Sequence, residues 1–217
     1  MKAIGNIFLT WRKGRGSKRI AIGVIKNNLT DGVRFNYISE NVAEAKKLGF
    51  VNYEGFPEID KVYSENVLEK FGQRLIQSDR NDLRGFYDFW GVDVKHKNNK
   101  YYMLAHTQGL LPTDNFEFLA DFNPIKGLTF ISEITNLKNA QIPSDIIKIG
   151  DILIYKLEKD NEYDSFAVKL FKNDYYLGHV KLIHNKVFHK SKYPLNVIVH
   201  SIEKNGVLNK VFIKITT

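Results

Sequence analysis

The sequence predicts an α+β protein with two domains: an N-terminal α+β domain at residues 1–123 and a small β-barrel with one helix at residues 124–217. Three observations favour this division. Strand and helix patterns are mixed in the first part of the chain. After Asn123-Pro124 the pattern is almost entirely one of short strands. The exception is a helical segment between Lys181 and Lys190.

Within residues 1–123, apolar alternation predicts strands and apolar residues at helical spacing predict helices. The predicted strands are Ile4–Trp11, Ile20–Lys26, Val33–Ile38 and Tyr101–Ala105. A short helix at 41–48 ends at Gly49, which suits a left-handed C-cap. Two further helices carry the apolar faces Val67, Leu68, Phe71, Leu75 and Leu83, Phe86, Phe89, Trp90, the second capped by Asp79. Such aromatic stripes are typical of a core.

Within residues 124–217, six short alternating segments predict the strands of the barrel. They are Leu128–Ile134, Asp151–Leu157, Phe166–Lys172, Tyr175–Val180, Asn196–Ile202 and Lys210–Ile215. Between the second and third lies a polar turn that carries Asn161, Tyr163 and Asp164.

The formal net charge of the chain is +8, and the C-terminal part contributes more than half of it with 14 Lys against 9 acidic residues. A basic protein concentrates anions near its surface, so nucleic acid is a natural partner. The same charge also serves solubility alone.

The composition excludes several kinds of site. Cys is absent, which excludes disulfides, thiolate metal ligands and a cysteine nucleophile. The chain contains no HExxH, GxSxG or phosphate-cradling GxxxxGK[ST] motif. His184 and His189 are five residues apart and so face different sides of a helix. We therefore expect no metal and no cofactor. No apolar run approaches membrane-spanning length, and the N-terminus does not resemble a signal peptide, so the expected location is the cytoplasm.

The C-terminal part resembles a bacterial HIRAN domain. The resemblance rests on Gly150-Asp151 leading into a strand, the turn with Asn161, Tyr163 and Asp164, then Ala167-Val168, and finally Leu177-Gly178-His179 before a helix. Glu162 stands where the family usually has proline, so the turn is less rigidly preset here.

The HIRAN resemblance implies an OB/SH3-like small barrel that binds the 3′ end of single-stranded DNA. By position, Tyr163 would stack on the terminal base and Asp164, in the turn begun by Asn161, would accept a hydrogen bond from the 3′-hydroxyl. His179 and Lys181 would approach phosphates. Phe130, on the first barrel strand, would be a second stacking face. The basic-aromatic cluster that the DNA-end binders carry on this strand is replaced here by residues 128–132, which include no Arg, although Lys126 lies nearby.

The same residues allow a purely structural interpretation. Asn161 and Asp164 would cap the turn by accepting backbone N–H bonds, and Tyr163 would pack on the barrel. In that case the turn would bind no nucleic acid.

The N-terminal part resembles the N-terminal subdomain of HipA-type Ser/Thr kinases. The resemblance rests on Leu9-Thr10-Trp11, Ile22-Gly23-Val24, Arg34–Tyr37, Gly55-Phe56-Pro57 and Phe71–Leu75. In some bacterial operons this subdomain is a separate small protein that restrains the kinase as an antitoxin component. The kinase motifs themselves are absent from the sequence.

Three function classes follow. The first is a non-catalytic nucleic-acid-binding protein whose N-terminal domain is a protein-interaction module. The second is a regulatory or antitoxin-type subunit that holds a HipA-like kinase, for which the aromatic residues Phe50, Tyr53, Phe56, Tyr63 and Phe71 would form a docking face or simply a core. The third is a metal-dependent nuclease built from residues such as His179 and Asp164.

Overall fold

The computed structural model of the chain describes residues 2–76, 83–137, 142–143, 145–205 and 207–217. It comprises two compact units. One is formed by Ile4–Asp121, and the other by Met1–Ala3 with Phe122–Thr217. The predicted assignment of separate roles to residues 1–123 and 124–217 stays a prediction.

The unit Ile4–Asp121 contains a four-stranded sheet and several short helices. Its elements are β1 Ile4–Trp11, β2 Ile20–Asn28, β3 Gly32–Tyr37, α1 Ser39–Lys47, α2 Val67–Gly72, α3 Arg84–Trp90, a 3-10 turn at Val94–His96, α4 Lys100–Thr107 and β4 Phe116–Phe122. The strand order is β3-β2-β1-β4. The pairs β1-β2 and β2-β3 are antiparallel.

Aromatic residues form the core of this unit. Phe35 lies at the centre, with ring centroids of Phe56 at 4.8 Å and Phe71 at 5.1 Å. Of the five aromatic residues considered for a docking face, Phe50, Phe56, Tyr63 and Phe71 are buried. They therefore stabilise the unit from inside, and only Tyr53 is half-exposed.

Two local predictions for this unit were wrong or incomplete. Tyr101–Ala105, predicted as a strand, lies inside helix α4. The helix is favoured over a strand because Asn99 caps its N-terminus: the Asn99 side chain accepts a hydrogen bond from the backbone N of Tyr102 at 3.0 Å. The segment Phe116–Phe122 was not predicted as a strand, yet it pairs beside β1. The predicted cap Asp79 lies outside the described residues.

The second unit contains a six-stranded sheet and one short helix. Its elements are β5 Thr129–Thr135, β6 Ile154–Leu157, β7 Val168–Lys172, β8 Tyr175–Val180, α5 Lys186–Lys190, β9 Asn196–Asn205 and β10 Val207–Thr216. The strand order is β6-β7-β8-β5-β10-β9, and every pair is antiparallel. The α+β class is therefore confirmed.

The predicted barrel is not closed. Asp151–Leu157 was expected to be one strand, but its two ends pair with different neighbours. Ile152 forms an isolated bridge with Ile198 of β9, and the backbone N of Leu153 donates to Val197 O at 2.8 Å. The following residues, β6, pair with β7 instead. Because so short a segment divides its backbone hydrogen bonds between two partners, no continuous ladder joins β6 to β9.

None of the helices in the described parts of the chain combines the length and apolarity needed to cross a membrane.

Glycine is required at position 178, where β8 pairs with β5. Its φ is +134°, and a Cβ there would lie 2.2 Å from Thr135 O and 2.9 Å from Ile134 Cγ2. We expect Gly178→Ala to lower the free energy of unfolding by at least ~1–3 kcal/mol, because backbone strain and a backbone clash add. Urea denaturation measures the loss. Gly14→Ala is the control, since a Cβ at Gly14 meets nothing within 4 Å; an equal effect of both variants contradicts the prediction.

His106 of α4 makes the stability of the unit Ile4–Asp121 depend on pH. Burial, with the nearby charge of His96, lowers the pKa of His106 to about 4. The unfolded chain takes up a proton near pH ~6.5 that the folded chain excludes, so stability is fully present above that pH and is lost as the pH falls towards 4. Between pH 7 and pH 5 we expect the free energy of unfolding to fall by about 2 kcal/mol less in His106→Gln than in the wild-type protein.

The measurement is urea unfolding followed by tryptophan fluorescence, since both Trp11 and Trp90 lie in that unit. The slope against pH is compared, and not the absolute stability, because the substitution itself alters packing. Identical slopes for the two proteins contradict the prediction.

Candidate nucleic-acid interface

Asn161 organises the turn between β6 and β7. Its Oδ1 accepts hydrogen bonds from the backbone N of Tyr163 at 3.0 Å and of Asp164 at 2.9 Å. Its Nδ2 donates to Glu158 Oε2 at 3.0 Å. An Asn side chain that bonds the backbone two and three residues on reproduces the geometry of a tight turn. Asn161 thus holds the turn in shape without a proline at position 162.

Asp164 anchors this turn to the rest of the unit. Its Oδ1 accepts from the backbone N of Phe166 at 2.9 Å, and its Oδ2 accepts from Asn185 Nδ2 at 2.6 Å. Asn185 immediately precedes α5. A carboxylate offers about four acceptor sites, so an oriented, half-buried Asp164 retains capacity for a further donor.

Tyr163 projects from the turn beside Asp164. It is 86% exposed, which is far more than expected of a tyrosine that packs on the sheet. Its backbone is held from both sides because the N–H groups of residues 163 and 164 bind Asn161. The structure therefore combines both sequence-based interpretations: Asn161 and Asp164 cap the turn, and the Tyr163 ring stays accessible.

His179 is joined to the turn through Glu158. Its Nε2 lies 3.0 Å from Glu158 Oε2, and its Nδ1 lies 2.9 Å from the hydroxyl of Tyr176. Lys169 also pairs with Glu158. The hydrogen bond from Lys169 above all, with those from His179 and Asn161, lowers the pKa of Glu158 to about 2. Glu158 is therefore a permanent anion that orients His179 and Asn161.

Lys181 and Phe130 lie in the interior of the unit. Lys181 is 0% exposed, and its Nζ lies 3.2 Å from Glu133 Oε2. Phe130 is also 0% exposed and stacks on Phe122 with ring centroids 4.1 Å apart. Contact with a phosphate would require Lys181 to leave Glu133, and stacking of a base on Phe130 would require opening of the core.

Lys126 is exposed, but its surroundings are not those of the turn. It lines a cavity of about 720 Å³ together with the segment after α5. Of the residues predicted for the site, the structure thus brings together Asn161, Tyr163 and Asp164, connects His179 to them through Glu158, and places the others elsewhere.

Sequence reasoning missed several residues around the turn. Phe166 is 40% exposed, and its ring centroid lies 5.3 Å from that of His189. Lys186 Nζ lies 5.4 Å from the Phe166 ring, and His189 Nε2 donates to Phe166 O at 3.1 Å. These contacts join residues about 20 positions apart, and no local sequence pattern predicts them. Only the contact of Glu158 with Asn161, three residues later, could have been predicted from the local sequence.

No group of three or more metal-ligating side chains suited to an ion is found among the described residues.

Comparison with known proteins gives partial likenesses in structure. No family model matches the sequence, and no curated protein matches it. Among solved structures, the HIRAN domain of human HLTF is similar with a TM-score of 0.33 and 14% identity, over 40% of this chain and 74% of that one. A protein from Lactobacillus plantarum is similar with a TM-score of 0.33 and 16% identity, over 42% of this chain and 96% of that one. A HIRAN domain is thus among the structures to which part of this chain is similar.

Proposed function

We propose that residues 124–217 bind the 3′ end of single-stranded DNA through the turn around Tyr163. The observation that carries the proposal is the pairing of an 86% exposed Tyr163 with an Asp164 carboxylate oriented by Asn185 at 2.6 Å. An exposed aromatic ring on a well-supported turn is a platform on which a base stacks, worth about 1–3 kcal/mol per base.

The carboxylate favours a strand end over a continuing strand. Asp164 carries a negative charge, and two charges about 4 Å apart interact with ~1 kcal/mol even in water, so a phosphate there is repelled. A free 3′-hydroxyl instead donates a hydrogen bond to the carboxylate, and such a charge-assisted bond is stronger than a neutral one. The turn therefore suits a hydroxyl terminus.

Cations near the turn support binding of the adjoining phosphates. Lys186 lies over the Phe166 ring, and the segment 124–217 has 14 Lys against 9 acidic residues. His179 would contact a phosphate only after one of its ring nitrogens leaves Glu158 or Tyr176, so its role in the proposed site is to support the turn. Lys181 and Phe130 contribute to the proposed site only by supporting it from within the core.

We propose that this function is binding without catalysis. Asp164 is engaged with Asn185 and Phe166, and His179 with Glu158 and Tyr176. These hydrogen bonds hold both side chains in fixed orientations, which suits recognition of a bound strand. A metal-dependent nuclease is the alternative that the cleavage assay below decides.

The proposal that residues 1–123 hold a HipA-like kinase in a toxin-antitoxin system rests on the sequence resemblance alone. Since the aromatic residues of this region form its core, a docking surface would have to consist of other side chains. Pull-down of a kinase encoded by a neighbouring gene tests it.

The binding test uses fluorescence anisotropy with single strands that end in a 3′-hydroxyl or a 3′-phosphate. We expect the hydroxyl end to bind at least about fivefold more tightly, and Tyr163→Ala to weaken binding by about 5- to 100-fold. Asp164→Asn removes the repulsion, so the preference against the 3′-phosphate should shrink. Misfolding would not produce that selective gain.

Tyr175→Ala is the matched control, because Tyr175 is another exposed tyrosine, on β8. Equal affinity of the wild-type protein for both ends, or unchanged affinity in a Tyr163→Ala, Asp164→Ala double variant, would contradict the proposal. Cleavage of the strand with Mg²⁺ or Mn²⁺ that disappears in Asp164→Asn would establish the nuclease instead.

A further inference from the structure

The cavity of about 720 Å³ in the second unit is lined by three lysines, a tyrosine and prolines. Among the residues at its surface are Asn123, Lys126, Lys190, Lys192, Tyr193 and Thr217. Its volume lies within the range of about 300–1,000 Å³ typical of ligand sites. None of Asn161, Tyr163 and Asp164 is among the residues that line it.

Hydrogen bonds hold the walls of this cavity in place. Lys190 Nζ lies 3.3 Å from Asn123 Oδ1 and 3.4 Å from Phe122 O. Ser191 Oγ donates to Tyr193 O at 2.7 Å, which shapes the loop after α5. Thr217 Oγ1, also at the cavity, donates to Ile125 O at 2.8 Å. The cavity is therefore preformed by the fold of this unit.

The lining of the cavity is mostly apolar and carries lysines, which favours a ligand that combines a planar apolar face with an anionic group. No acidic side chain occurs among these lining residues. Lys126 and Lys192 are exposed, and no ion pair involves either of them within the described ranges. Tyr193 is 80% exposed between Lys192 and Pro194. Lysines that neutralise phosphates, combined with an aromatic ring, are the arrangement by which proteins bind single-stranded nucleic acid.

Helix α5 connects the cavity with the turn. At its start, Lys186 lies over the ring of Phe166, which follows the turn, and at its end Lys190 lines the cavity. Residues four apart lie on the same face of a helix, about 6 Å from each other along its axis. His189, between them, contacts Phe166. The short helix α5 thus carries one lysine that contacts Phe166, beside the turn, and another that lines the cavity.

We propose that this cavity is a second subsite for single-stranded DNA, which takes the nucleotides on the 5′ side of an end held at the turn. Tyr193 stacks on a base, and Lys126 and Lys192 contact phosphates. The inference rests on the proposed function, and it adds the direction and extent of the bound strand: the end at Tyr163 and the continuing strand along α5 towards Tyr193.

The test is fluorescence anisotropy with 3′-hydroxyl oligothymidylates of increasing length, from a dinucleotide to about twelve nucleotides, at several salt concentrations. We expect Lys126→Ala with Lys192→Ala to weaken binding of the long strands about tenfold or more. The slope of log affinity against log salt should fall by about 1.4, because each phosphate contact contributes about 0.7 for single strands. Dinucleotide binding and the 3′-hydroxyl preference should stay unchanged.

Tyr193→Ala should likewise affect only the long strands, by about 5- to 100-fold. The control is Lys148→Ala with Lys204→Ala, which removes the same charge from two exposed positions outside the cavity lining. An equal loss in this control, or no change of the salt slope in the cavity variant, overturns the subsite. Saturable binding of free dTMP, abolished by Tyr193→Ala, with no dependence on strand length would identify a nucleotide pocket and overturn it too.

The outcomes separate the two proposals. If the wild-type protein prefers the 3′-hydroxyl end but the cavity variants bind long strands normally, the subsite alone is wrong. If it shows no end preference while the cavity variants lose affinity for long strands, end recognition is wrong and the cavity binds DNA without it. If no strand binds at all, both are wrong.

Discussion

The hydrogen bond between Asp164 and Asn185 is the constraint on which the proposed site depends. It joins a turn between two strands to the start of α5, across 21 residues of chain, with 2.6 Å between Oδ2 and Nδ2. With Asn161 bonded to the backbone of the same turn, it leaves Tyr163 little backbone freedom. Because the backbone at Tyr163 is already fixed, less conformational entropy is lost when a ligand stacks on the exposed ring.

A second constraint on the site is the negative charge of Glu158. One carboxylate pairs with Lys169, His179 and Asn161, so strand β7, strand β8 and the turn are adjusted to a single anion. Its pKa of about 2 means that this arrangement persists through the whole physiological pH range. Glu158, Lys169 and His179 are therefore paired with one another. The surface available to a ligand at the turn consists of Tyr163, Phe166 and α5.

The position of a residue along a strand decided which expected contacts the fold makes available. Phe130 lies on β5, where a strand was predicted, and Lys181 lies between β8 and α5, because the predicted helical segment at 181–190 becomes helical only at Lys186. The side chains of both residues face inward. Lys181 tolerates burial because Glu133 compensates its charge, whereas a buried lysine without a partner would be destabilising. The cavity near Tyr193 shows the opposite case, in which residues of no evident motif form a basic, aromatic surface.

By itself, the sequence determined the α+β class, the six C-terminal strands within a few residues, and the turn with Asn161, Tyr163 and Asp164, because local alternation and Asx turns depend on neighbours along the chain. It did not determine α4, β4, the open edge between β6 and β9, or the partners Asn185 and Glu158. Those features depend on which distant backbone and side-chain groups satisfy one another, and only the tertiary structure decides that. For the same reason, the turn could be predicted from the sequence, and its hydrogen bond to Asn185 before α5 could not.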